Sequence, residues 1–164
     1  MHRMITEKEF THLAEKYLGT IYRVAYNWLK SPADAEDISQ NVFLKLLQTR
    51  QDFESDAHAK YWLIRVCINE CRDLTRRHWW HQPSIEDYAA TLGFDSPQQS
   101  DLFYAVMALP KKYRLPIYLH YYEQYTAKEI GEILRLPPNT VSSQLRRGRE
   151  LLKKTYLEVE DHVE

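Results

Sequence analysis

Trp62, Arg65, Asn69, Arg72 and Arg76 recur at helical spacings of three and four, so an aromatic, an amide and three cations fall on one helix face, with Arg77 adjoining. Arginines neutralise phosphates, a tryptophan offers a stacking surface, and an asparagine amide pairs with a base edge through a donor and an acceptor. A second set lies in TAKEIGEILRLPPNTVSSQLRRGRELLKK, residues 126–154, where Thr140, Ser142, Ser143, Arg146, Arg147 and Arg149 crowd the start of a helix. Small hydroxyls at a helix start with arginines behind them suit a major groove, where they meet base edges and flanking phosphates. Plainer readings exist for both sets: Trp62 as half-buried core beside solvated arginines, and the second helix as the cationic face of an ordinary bundle. Neither set is catalytic, and the chain carries no glycine-rich phosphate loop, no GxSxG elbow and no HExxH.

The second set is positioned by a helix–corner–helix pattern. Thr126 and Glu129 form a capping box, Ile130, Ile133 and Leu134 repeat at helical spacing, and Pro137-Pro138 stops one helix and starts the next. Val141, Leu145 and Leu152 then face inward. The first set needs a bundle beneath it. Phe10, Leu13, Ala14, Tyr17, Ile21, Ala25 and Leu29 make one stripe, broken at Ser31-Pro32, where Ser31 caps the next helix. Ala35, Ile38, Val42 and Leu46 line that helix, with Phe43 and Leu47 widening its buried side. A polar loop over 48–56 follows, and then a helix over 57–77 with Ala59, Leu63, Val66 and Leu74 inward.

Residues 82–100 are polar and acidic with prolines at both ends, which reads as a tether. Ile85, Tyr88, Leu92 and Phe94 within it suggest a segment that docks in a groove. Beyond it, Leu102, Ala105, Val106 and Leu109 lead to Pro110. A helix over 111–122 carries Tyr113, Leu115, Ile117, Tyr118, Leu119, Tyr121 and Tyr122 as the core under the helix-turn-helix. The expected fold is all-α: two small helical domains, 1–81 and 101–164, joined by a flexible linker over 82–100.

Net charge is -1 with a pI near 6.7, so bulk positive charge does not drive nucleic-acid binding. Distribution does: from 78 to 110 there is no lysine or arginine, while Glu86, Asp87, Asp95 and Asp101 fall there, and Glu158, Glu160, Asp161 and Glu164 make an acidic tail. DNA would be held at two patches. Neither a membrane-length apolar run nor a signal peptide is visible, which places the chain in the cytoplasm. Cys67 and Cys71 with His78 and His81 are zinc-ligand types. The cysteines lie one turn apart within a helix and the histidines beyond its end, so two buried thiols are the expectation, with no metal and no cofactor. Trp79 and Trp80 either seal an edge or face a partner.

Three runs together carry a resemblance: YLGTIYRVAYNWLKSPADAEDISQNVFLKLLQ, AKYWLIRVCINECRDLTRR, and LPKKYRLPIYLHYYEQYTAKEIGEILRLPPNTVSSQLRRGRELL. In this order they resemble a bacterial sigma factor of the sigma-70 family, and the short length resembles the extracytoplasmic-function (ECF) group, which keeps sigma domains two and four. The resemblance implies an RNA polymerase specificity subunit. Asp34, Asp37, Gln40 and Asn41 would contact the clamp helices of the largest subunit of core RNA polymerase. The loop and helix over 53–77 would melt and hold the minus-ten element of promoter DNA, with Asn69 receiving an extruded base beside Trp62. The helix over 138–154 would read the minus-35 duplex. The linker would thread the RNA exit path, and an anti-sigma factor would hold the protein inactive. No small-molecule substrate is implied. Two other classes stay open from the residues alone: a stand-alone helix-turn-helix regulator binding duplex DNA, and a protein-interaction module.

Where the family has a turn glycine this chain has Arg135, which predicts either a different corner or a left-handed arginine. Gly131 replaces the usual alanine, a loosening of about 1 kcal/mol unless close packing requires it. Ser142 and Gln144 stand where a cation is frequent, and Gly148 interrupts the recognition helix.

Overall fold

The structure, a computed structural model, describes the backbone of residues 4–77 and 97–162 and the side chains of 4–77 and 101–155. It divides into two compact units, Met1–Gly93 and Phe94–Glu164. Among the described residues every regular element is a helix. The first unit holds α1 (Glu7–Leu29), α2 (Pro32–Gln48) and α3 (Asp56–Arg77), and the second holds α4 (Pro97–Met107), α5 (Lys111–Tyr121), α6 (Ala127–Leu134) and α7 (Pro138–His162). Helix α4 therefore begins inside the segment read as a tether. No helix among the described residues is long and apolar enough to cross a membrane.

Local chemistry sets the helix ends of the first unit. Thr6 and Glu9 form a capping box at α1, with Glu9 N–H donating to Thr6 Oγ1 at 3.1 Å. Ser31 caps α2 by accepting from Asp34 N–H at 3.3 Å, with Pro32 in the first turn. All three helices pack against one another. Ile21, Val24, Ala25, Tyr26 and Leu29 meet Ala35, Ile38, Val42 and Leu46, and α3 closes the core with Ala59, Leu63, Ile64, Cys67, Ile68 and Cys71. Val66 and Leu74, expected inward, are only half-buried. At 3.6 residues per turn Val66 sits about 60° round the helix from Leu63, while Ile64, Cys67 and Ile68 lie nearer the stripe's centre. Leu47 is exposed rather than part of the α2 stripe, whereas Phe43 is buried.

In the second unit α5 and α6 both pack on α7. Its core comprises Phe103, Val106, Met107, Leu109, Leu115, Ile117, Tyr118, Leu119, Ile130, Ile133, Val141 and Leu145. Phe103 and Met107 take the places expected for Leu102 and Ala105, which are half-buried. Of the α5 tyrosines only Tyr118 is fully buried; Tyr113 and Tyr122 are half-buried, and Tyr121 is 46% exposed. Arg114 is buried, and burial pulls its guanidinium below the usual arginine value. Buried Glu123 accepts the Tyr118 hydroxyl at 2.9 Å.

Candidate nucleic-acid interface

The helix-turn-helix of the second unit is built from α6, a short corner and α7. Glu129 N–H donates to Thr126 Oγ1 at 3.2 Å while Thr126 N–H donates to Glu129 Oε1 at 3.0 Å, which completes the capping box that starts α6. Arg135 caps the other end in the left-handed region, φ 60° and ψ 47°, and donates its N–H to the Gly131 carbonyl. The Leu136 N–H reaches the same carbonyl at 2.9 Å. The corner thus keeps left-handed geometry and places an arginine in it, which costs about 1 kcal/mol relative to glycine. The close approach falls at Gly131 instead: a Cβ there would lie 2.6 Å from the Leu136 carbonyl oxygen. Gly148 is explained in the same way, since a Cβ would meet Ile117 Cγ1 at 2.8 Å and Cδ1 at 2.9 Å. This glycine lets α7 press onto α5; the helix runs on through it without a break.

Val141, Leu145 and Gly148 face the core, which turns Thr140, Ser142, Ser143, Arg146, Arg147 and Arg149 to solvent, all six exposed. Arg147 Nη1 pairs with Glu150 Oε2 at 3.2 Å one turn on. Arg149 Nη1 donates to the Tyr121 hydroxyl at 3.3 Å. Tyr121, expected in the core from its place among the α5 tyrosines, is instead an exposed partner for this surface.

In the first unit the face read from sequence lies along α3. Arg65, Asn69, Arg76 and Arg77 are exposed, and Trp62 and Arg72 are half-buried. The Trp62 ring meets Phe53 edge-on, centroids 5.6 Å apart, and Phe53 meets His58 at 5.5 Å, so the loop before α3 packs onto the start of the face. The Arg65 guanidinium lies 5.7 Å from the Tyr61 ring centroid. Arg72 Nη1 donates to Asn69 Oδ1 at 3.3 Å, Arg76 pairs with Asp73, and Arg77 Nε donates to the Asp73 carbonyl at 3.3 Å. Beside the loop, Asp56 accepts from Lys16 at 2.9 Å and lies 2.7 Å from His12 Nε2; these contacts hold its carboxyl below the usual carboxylate range. A cavity of about 420 Å³ opens there, lined by His12, Leu13, Phe53 and Asp56 among others.

On α2, Asp37, Gln40 and Asn41 are exposed and Asp34 is half-buried. Leu44, 53% exposed, continues their row. Its spacing from Gln40 and Asn41 puts it on the polar face, but an apolar type there carries no signal from sequence alone. Cys67 and Cys71 are both buried; Cys67 Sγ donates to the Ile21 carbonyl at 3.7 Å, and burial pushes its thiol well above the ordinary value. Among the described residues no group of His, Cys, Asp and Glu is arranged to hold a metal ion. His78, Trp79, Trp80 and His81, the expected docking of Ile85, Tyr88, Leu92 and Phe94, and the acidic side chains of the tail lie outside the described residues.

Known proteins share this pattern. The family model described as Sigma-70 region 2 matches residues 13–81, and the one described as Sigma-70, region 4 matches residues 100–152. The ECF RNA polymerase sigma factor SigW of Bacillus subtilis (strain 168) is 28% identical over 163 residues, covering 88% of this chain and 87% of SigW. The sigma factor RpoE, in a co-crystal structure with the anti-sigma factor NepR from Bartonella quintana, has a similar fold, with TM-score 0.68 at 19% identity over 90% of this chain and 96% of that one. CnrH, in complex with the cytosolic domain of CnrY, matches at TM-score 0.63 and 21% identity over 92% of this chain and 89% of its own. Two regions of one family, matched in the expected order on the two helical units that carry the α3 face and the helix-turn-helix, show that the chain belongs to the sigma-70 family, in its ECF group.

Proposed function

We propose that the protein is a promoter-specificity subunit: it binds core RNA polymerase and directs initiation at promoters carrying minus-ten and minus-35 elements. The observation that carries this reading is the coexistence of two unlike nucleic-acid faces, one per compact unit. The α7 face, with Thr140, Ser142, Ser143 and Arg146 exposed on a helix seated against α5 and α6, suits a duplex major groove. On the α3 face, the Trp62 ring, the Asn69 amide and Arg65, Arg72, Arg76 and Arg77 suit an opened strand, with stacking and cations offsetting the few kcal/mol that unstacking a base costs.

The row Asp34, Asp37, Gln40 and Asn41, extended by Leu44, is the polymerase-binding surface: an exposed leucine among polar neighbours is a compact docking point. Domain boundaries follow from this reading, with residues 1–81 for core binding and melting, 82–100 as the connection, and 101–164 for minus-35 recognition. The subunit brings no catalysis of its own, because bond formation belongs to the polymerase, and it works in the cytoplasm, where promoter and polymerase are. RpoE is seen in complex with the anti-sigma factor NepR and CnrH in complex with the cytosolic domain of CnrY, which supports an anti-sigma factor as a third partner here.

The test is transcription in vitro with purified core enzyme and a promoter library. The protein should direct initiation from a defined subset of duplex promoters and should bind the same duplexes weakly when core is absent. Tight footprinting by the protein alone, with no stimulation of core, would instead make it a stand-alone regulator.

A further inference from the structure

We propose that Trp28, in the last turn of α1, is a positioning residue for the single-strand-binding face of α3, acting through Arg72. Nothing in its sequence context marks Trp28, which lies on a different helix from the face it serves. Its indole Nε1–H donates to Thr75 Oγ1 at 2.8 Å, and the Thr75 hydroxyl donates in turn to the Cys71 carbonyl at 2.8 Å. The polar edge of the ring is thereby fixed to the backbone of α3. The face of the ring is turned to Arg72, whose guanidinium carbon lies 5.7 Å from the centroid. Arg72 then donates to Asn69 Oδ1 at 3.3 Å.

A chain of contacts therefore runs from α1 through Thr75 and Arg72 to the amide assigned to the extruded base. A long arginine side chain samples many rotamers in water, and ordering it on binding costs affinity. One held against an anchored indole has lost much of that freedom beforehand. With the guanidinium over the ring, one of its N–H groups is already given to Asn69. Trp28 thus lowers the ordering cost of the strand-holding face without touching the strand.

The inference rests on the proposed role of α3, and the experiment separates the two. Holoenzyme assembled from core and each variant is titrated with a labelled non-template oligonucleotide spanning the minus-ten element of a promoter that the unmodified holoenzyme opens, over a range of salt concentrations. Trp28→Leu should weaken binding about two- to fivefold, the scale of a cation–π contact, and Trp28→Phe, which keeps a ring face, should recover part of the loss. In an Arg72→Ala background Trp28→Leu should have no further effect, because its action passes through that guanidinium. Thr75→Val, which removes the indole's acceptor while keeping the volume, should show a smaller loss that also vanishes in the Arg72→Ala background. It serves as the second probe should Trp28→Leu lower the melting temperature.

Losses that multiply between Trp28→Leu and Arg72→Ala would overturn the proposal and leave the indole a core residue. Wild-type binding by both Asn69→Ala and Arg72→Ala would overturn the strand-holding role of α3 itself, and this inference with it.

Discussion

The α3 face and the α7 face are both arginine-rich helix surfaces, yet their reading residues are held differently. Along α3 the side chains are tied to neighbours before any ligand arrives: Arg72 to Asn69 and Trp28, Arg76 to Asp73, Arg65 to Tyr61, and Trp62 to Phe53. On α7, Arg146, Ser142 and Ser143 reach solvent, Arg147 pairs with Glu150 on its own helix, Arg149 donates to Tyr121 of α5 further along, and the reading end is anchored from behind. There Gly131 and Gly148 let backbone and helix approach within distances that a Cβ would block. The difference fits the proposed ligands. A duplex is rigid and supplies its own geometry, so its reader needs an accurately seated helix with adaptable tips. An opened strand is floppy, so its holder must supply the order.

The first way to sharpen this contrast is Arg146→Ala. It should weaken minus-35 binding by about 1–3 kcal/mol with altered base preference at one position, measured by competition among single-base promoter variants. A uniform loss for all sequences would assign the guanidinium to phosphate. Gly131→Ala attacks the seating of α7: overpacking against a carbonyl oxygen that cannot move away outweighs the gain in helix propensity, leaving a net loss of about 2 kcal/mol. Thermal denaturation should show the second unit melting earlier while the first is unchanged. Arg135→Gly should act the other way, raising the stability of the second unit by about 0.5–1 kcal/mol as the left-handed strain is relieved. Unaltered melting would mean that the arginine's own contacts compensate.

The smallest effect belongs to Asp56, where His12 and Lys16 meet. Its contacts with His12 and Lys16 hold its carboxyl below the usual carboxylate range in the folded chain, so its contribution is complete above that range and is lost as pH falls through the lower, folded value. Asp56→Asn should therefore flatten the acid limb of the stability profile of the first unit and leave the neutral region almost untouched. A change centred near neutrality would contradict this assignment.

The helices were legible wherever an apolar repeat and a cap agreed, as at Ser31 and at the Thr126–Glu129 box. Misplacements arose where several residues compete for one stripe. Ile64, Cys67 and Ile68 take the place expected for Val66, because a periodic pattern leaves its own phase uncertain by a fraction of a turn and a cysteine reads as readily as a reactive thiol as a core residue. The exposed arginines, serines and Asn69 could be placed on faces from spacing alone. Trp28, Thr75 and Tyr121 could not, because their links to Arg72 and Arg149 cross between helices and depend on packing that spacing does not encode. The close approaches at Gly131 and Gly148 were invisible for the same reason: a glycine in a helix reads as weakness until the neighbouring backbone or side chain is seen.

The division of labour between the two units is tested most directly by comparing initiation from a fully duplex promoter with initiation from the same promoter pre-opened across its minus-ten element, using core enzyme with Asn69→Ala or Arg146→Ala. Pre-opening should largely restore Asn69→Ala, whose defect lies in capturing melted DNA, and should leave the Arg146→Ala defect as large as before. Equal rescue of both variants, or of neither, would contradict the assignment of strand opening to one unit and duplex reading to the other.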